Sequence, residues 1–247
     1  LGMREVAERD SNMRAQYSQI TNELITLFLS VLDEECRSGT TYTQVIVVNG
    51  VQECLDAFNT NTLTSEQVTV IASRCFDMLQ QSFVRRKKLD DKILSNSDIQ
   101  IKGDTDDDDD KRCIEEEKEQ EQELRLNILG ILGVLMKYYP GIYWESVGSI
   151  TIQLVSQHIV KIHNNIEDRV LGFHLSADVF RYLCPTAYQH CIPWIQHILE
   201  GINDSVASIQ QNCAYSLAQA AKLEQFSNML NEALQVIMLR LQSKTKG

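Results

Sequence analysis

The residues best suited to metal chemistry are Cys184, His190, Cys191 and His197. Thiolates and imidazoles hold structural zinc in a tetrahedron, and their spacings along a chain follow a few recurring patterns. The interval from Cys184 to Cys191 matches none of them, so packing is the expected role of both thiols. His158 and His163 are five apart and do not share a helical face as i and i+4 ligands would. The seven cysteines (Cys36, Cys54, Cys75, Cys113, Cys184, Cys191 and Cys213) are odd in number, contain no Cys-x-x-Cys pair, and mostly sit among apolar residues at helical spacing. They read as reduced core thiols. No His-Glu-x-x-His, Gly-x-Ser-x-Gly, phosphate loop or dinucleotide fingerprint occurs, so neither an enzymatic activity nor a cofactor is expected.

Carboxylates are the other concentrated chemistry. The chain carries a net charge of -11, but residues 104 to 123 hold twelve acids and three bases, a local -9 that leaves -2 for the rest. A nearly neutral body with one acidic insert is the result. Phosphate neutralisation needs a basic face, so direct nucleic-acid binding is not expected. The basic run Arg85-Arg86-Lys87-Lys88 reads as a solvated helix end, and the insert as a solvated loop of like charges.

The elements that position these groups are helices. With 247 residues, 43% of them apolar, and only three prolines, the chain can bury a sizeable core. Apolar runs such as Ile128 to Met136 are too short or too interrupted to cross a bilayer, and the start has no secretory pattern, so no membrane partner is expected and cytosol or nucleus is the default. One stripe joins Val206, Ile209, Cys213, Leu217 and Ala220, and others join Phe226, Leu230, Ala233, Ile237 and Leu241, and Leu171, Leu175, Val179 and Leu183. No run alternates long enough for a sheet. Asp204 is a cap candidate, and Thr64-Ser65-Glu66-Gln67 has the spacing of a capping box. Gly130 and Gly133, in a wholly apolar helix, suggest close helix packing.

In order, the helices pair off: 12 to 37 with 42 to 59, 65 to 98 with 115 to 139, 142 to 163 with 167 to 183, and 186 to 201 with 204 to 222. An unpaired helix at 226 to 243 follows. Pro193 falls inside a helix and removes one backbone bond, while Pro185 and Pro140-Gly141 mark joints. Apart from the pair with the insert, the recurrence is roughly 40 residues, the spacing of HEAT or armadillo repeats. The expected fold is therefore all-α, an α-solenoid of antiparallel helix pairs over 1–247: 12–59, 65–139 with the acidic insert 104–123, 142–183, 186–222 and a partial repeat 226–247. Such an array leaves long faces for partners, so function by recognition follows. Without Met at position 1, and ending on a helix that lacks its partner, the chain is expected to be part of something longer.

Particular residues resemble a known family. Asp168-Arg169 in a second helix, Ile192-Pro193-Trp194 in a first helix, and Gln211 through Leu217 (Gln-Asn-Cys-Ala-Tyr-Ser-Leu) are similar to consecutive HEAT repeats of the importin-β superfamily of karyopherins. Within it, the resemblance is to the branch of importin five, also called importin subunit beta-three. Glu232-Ala233-Leu234, the tail Gln242-Ser243-Lys244-Thr245-Lys246, and an acidic insert two helices before Asp168-Arg169 resemble that branch too. The likeness is specific over 165 to 247 and architectural before that. One departure stands at Ile209-Gln210, where many HEAT repeats have Val-Arg, so the ladder of Asp-to-Arg bonds between repeats is expected to break there.

The resemblance implies a nuclear import receptor that shuttles between cytoplasm and nucleus. Its partners would be cargo proteins with basic signals, Ran GTPase, and the Phe-Gly repeats of the nuclear pore. It also gives the insert a second reading, in which Asp106, Asp107, Asp108, Asp109 and Asp110 attract basic cargo or Ran. If second helices form the cargo face, the polar candidates are Glu167, Asp168, Asp178, Asp204, Gln210, Gln211 and Asn212. The alternative is a HEAT-repeat scaffold subunit of a non-transport complex, with the same fold and no transport role.

Overall fold

The computed structural model describes residues 11–58, 63–99, 107–160, 165–184 and 186–244. Among them there is no strand. The helices are α1 (Ser11–Ser38), α2 (Thr41–Phe58), α3 (Ser65–Ile99), α4 (Asp107–Tyr138), α5 (Pro140–His158), α6 (Ile166–Asp178), α7 (Tyr188–Ile202), α8 (Ala207–Ala220) and α9 (Leu230–Lys244). A π-helical turn, Val179–Leu183, prolongs α6, and a 3-10 turn, Glu224–Met229, precedes α9. The expected joint at Pro185 lies outside the described residues, as do His163 and Asp106 of the insert.

Local chemistry sets several boundaries. The capping box forms: the Thr64 hydroxyl accepts from the Gln67 N–H at 3.2 Å, and the Gln67 side chain accepts from the Thr64 N–H at 2.8 Å. Asn165 caps α6, its side chain accepting from the Asp168 N–H at 2.8 Å. Pro140 opens α5, where its missing N–H costs nothing. Asp204 accepts from the Val206 N–H at 3.1 Å in the turn ahead of α8, which begins only at Ala207. Pro193 is accommodated inside α7.

Two compact units divide the chain, residues 1–138 and 139–247. In the first, α1 packs on α2 and α3, and α4 packs on α2 and α3. First helices therefore lie beside first helices and second beside second, as expected for stacked antiparallel pairs. In the second unit α6 lies against α5 and α8, and α7 against α8, with α9 added beside α7. Each unit is thus a short α-solenoid whose helices bury their apolar stripes against neighbours.

The cores are dense. Leu32, Val48, Val68, Met78, Leu124, Ile128 and Leu135 are fully buried in the first unit, as are Phe173, Phe180, Trp194, Ile198 and Cys213 in the second. Each such side chain contributes about 1.5–3 kcal/mol on leaving water. A methyl on Gly130 would meet only the amide end of Gln52 of α2, a flexible side chain that can turn aside. A methyl on Gly201 of α7 would overlap the buried Cys213 sulfur, so this glycine lets α7 approach α8 closely. Cysteines are mainly interior: Cys36, Cys75, Cys191 and Cys213 are buried, while Cys113 is exposed.

Candidate functional site

The acidic stretch is not a loop where it is described. From Asp107 onward it is α4, with Asp107, Asp108, Asp109 and Asp110 in its first turn. Acids suit that end, where the helix dipole is positive, and the following Glu, Gln and Lys residues are good helix formers. A buried face runs through Ile114, Glu121, Leu124, Arg125 and Ile128, while Glu115, Glu116, Glu119 and Glu123 face solvent.

Glu121, only 2% exposed, explains the fate of the basic run. Arg85 donates to it through Nε at 2.5 Å and Nη2 at 3.1 Å, and the Thr41 hydroxyl adds a third bond at 2.8 Å. Arg85 also reaches Gln44 at 3.1 Å. Arg86 donates to the Lys118 carbonyl at 3.2 Å, and Lys118 pairs with Asp90 at 2.7 Å. Arg85-Arg86-Lys87-Lys88 is therefore the middle of α3, not a solvated helix end. Arg85 and Arg86 fasten α3 to α4, and only Lys87 and Lys88 are exposed. A second such link joins Arg125 to Ser82 at 2.8 Å, with the guanidinium 4.5 Å from the centre of the Phe83 ring.

The second-helix candidates divide sharply. Asp204 is buried, 6% exposed, and its carboxylate takes a bond from Arg169 of α6 at 2.9 Å. Its carboxylate therefore faces inward and is not offered to a partner at the surface. The same pair forms a rung from the third helix pair to the fourth, through Arg169 and not through the Ile209-Gln210 positions where the break is expected. Gln210 turns back and donates to the Asp204 carbonyl, and Asn212 donates to the Ser208 carbonyl at 2.9 Å. Glu167 and Asp168 are half-buried in the first turn of α6, and Gln211 is exposed. Asp178 is half-buried, and its carboxyl is held above the usual range by burial, against the pull of His174 and Arg181. Sequence reasoning missed Tyr215, 43% exposed on α8, whose hydroxyl accepts from Arg181 at 3.3 Å. Its place on the polar side of the α8 stripe was the available signal.

Two grooves lie between first helices. In the second unit a cavity of about 570 Å³ is lined by Trp144, Glu145, Ile152, Gln153 and His190, with the Trp144 and His190 rings 5.7 Å apart. In the first unit α1 and α3 enclose another around Cys36, Arg37, Arg74, Asp77 and Arg85, where Arg74 bridges Asp33 at 2.5 Å and Asp77 at 3.2 Å. Among the described residues no group of three or more His, Cys, Asp or Glu side chains is placed to hold a metal, and no helix is long and apolar enough to cross a membrane.

No protein-family model matches the chain, and no curated protein matches it.

Proposed function

We propose that the chain is part of a nuclear import receptor of the importin-β type, which binds cargo with basic signals and is regulated by Ran GTPase. The observation that carries this reading is the bond from Arg169 to Asp204. It ties one antiparallel helix pair to the next at positions where the residues resemble that superfamily. The exposed acids of α4 (Glu115, Glu116, Glu119 and Glu123) suit a basic cargo segment, since carboxylates spaced along one helical face raise the local concentration of cations. The Trp144 groove suits the phenylalanine of a Phe-Gly repeat: it lies between first helices, and an aromatic ring packs well against an indole wall.

A scaffold in a non-transport complex is the second reading. It is favoured by the inward use of Asp204 and Gln210, which leaves fewer polar groups on the second helices for cargo. Pull-down of the protein carrying this chain with GTP-loaded Ran and with Phe-Gly repeats separates the two. The receptor reading expects both to bind, and binding of neither supports the scaffold.

A further inference from the structure

In the first unit, α2 and α4 lie side by side and parallel. The Thr41 hydroxyl bonds Glu121 at 2.8 Å near one end, and the Gln52 side chain lies against Gly130 further along, so Ile46 stands about level with Leu126. One side of each helix is taken by the first helices: Gln44 donates to the Glu35 carbonyl of α1 at 2.8 Å, and Glu121 and Arg125 meet Arg85 and Ser82 of α3. The side turned away from α1 and α3 keeps one exposed stripe per helix. On α2 it runs through Tyr42, Ile46, Asn49 and Glu53. On α4 it runs through Glu115, Glu119, Gln122 and Leu126, at the same helical spacing.

Tyr42, Ile46 and Leu126 are 62%, 54% and 47% exposed. Single exposed apolar side chains need no explanation, but three grouped on adjacent helices and rimmed by polar groups mark an interaction surface. The charges around them say of what kind. Glu115 and Glu119 lie beyond one end of this apolar centre, and Glu53 and Asp56 beyond the other. α2 contains no basic residue. Between Cys113 and Met136 the bases of α4 are Lys118 and Arg125, and both turn to α3, Lys118 to Asp90 at 2.7 Å and Arg125 to Ser82 at 2.8 Å. A second copy of this face would set acid against acid, so self-pairing is opposed.

We infer that this face docks an amphipathic helical segment of a partner protein, with apolar residues seated on Tyr42, Ile46 and Leu126 and Lys or Arg residues at both ends against the flanking acids. The inference rests on the reading of α4 as the side that takes a basic segment, and adds an apolar requirement to it. A helix repeats its side chains at i, i+4 and i+7, the spacing of both stripes, so its apolar residues can seat along them. From Glu115 to the level of Asp56 is about 27 Å, the length of about 18 helical residues. Carboxylates attract any basic run, whereas apolar seats select one whose oily residues fall at the right spacing.

The test is fluorescence anisotropy with the full chain and two synthetic helical peptides of about 18 residues. Both carry Lys at each end; one has Leu at three central positions spaced i, i+4 and i+7, and the other has Ala there. The expected result is about tenfold tighter binding of the Leu peptide, a difference that Ile46→Ser with Leu126→Ser abolishes. Both side chains are exposed, so the fold should survive the change, and the wild-type comparison decides even without it. Glu119→Gln with Glu123→Gln should weaken both peptides alike. Equal affinities of the wild type for the two peptides would overturn the inference and leave the basic-segment reading of α4 standing; binding of neither at low salt would overturn both. A Leu preference that persists in the Ile46 and Leu126 variant would also overturn it, as would wild-type dimers in sedimentation that this variant dissolves.

Discussion

At the scale of single residues, the buried ion pairs carry the sharpest expectations. Arg169 and Asp204 are both 6% exposed, so removing one leaves the other charged, buried and unpaired. Asp204→Ala should cost about 3 kcal/mol in urea unfolding, whereas Arg169→Met with Asp204→Leu should recover part of that loss. Equal losses in the single and double variants would contradict the assigned cause, since removing the unpaired Arg169 charge would then restore nothing. Asp178 makes a pH prediction. Burial raises its folded pKa, so its carboxyl adds stability below the unfolded value and that contribution is lost as pH rises through the folded one. Asp178→Asn should therefore melt higher than the wild type at pH 7, with the gain vanishing near pH 3. A gain that instead grew toward low pH would contradict the assigned cause. The Thr64 capping box was legible residue by residue, because both partners lie within one turn. The Arg169–Asp204 rung was not, because its partners are 35 positions apart on different helix pairs and no local period connects them.

Among the elements, α4 shows where sequence pattern runs out. Its acid-rich first half reads as a solvated loop on composition, since like charges repel and carry no apolar stripe. The stripe is present but includes charged members: Glu121 and Arg125 take inward positions because Arg85 and Ser82 of α3 wait there. Only tertiary partners make those positions interior, and no local period reveals them. Glu121→Gln should therefore destabilise the chain by roughly 2–3 kcal/mol. Replacing Glu115, Glu116, Glu119 and Glu123 together by Gln should move the melting temperature by no more than ~2 °C. It should also weaken the salt-sensitive binding of a basic peptide. If peptide affinity in the quadruple variant matched the wild type, the acidic face would be solvated surface and nothing more. For the first-helix layer, Trp144→Ala should reduce binding of a Phe-Gly peptide about tenfold, the loss expected for an aromatic anchor worth near 1.4 kcal/mol. An unchanged titration would remove that groove from the account.

Over the whole molecule, the one-sided apolar stripes were the most legible feature, and the helix pairing they imply recurs in both units. Helices that cannot bury a stripe alone stack on their neighbours, and the polar faces left over are what partners meet. The function proposed on that geometry is recognition, and its import-receptor form makes a demand that a static scaffold does not. Under that proposal, cargo would leave when Ran arrives with GTP. The most direct measurement is the equilibrium affinity of the protein carrying this chain for a fluorescent basic-signal peptide, with Ran loaded with GTP or with GDP. The account predicts at least a tenfold weaker grip with the GTP form, about 1.4 kcal/mol of coupling. Identical affinities in the two nucleotide states would contradict it.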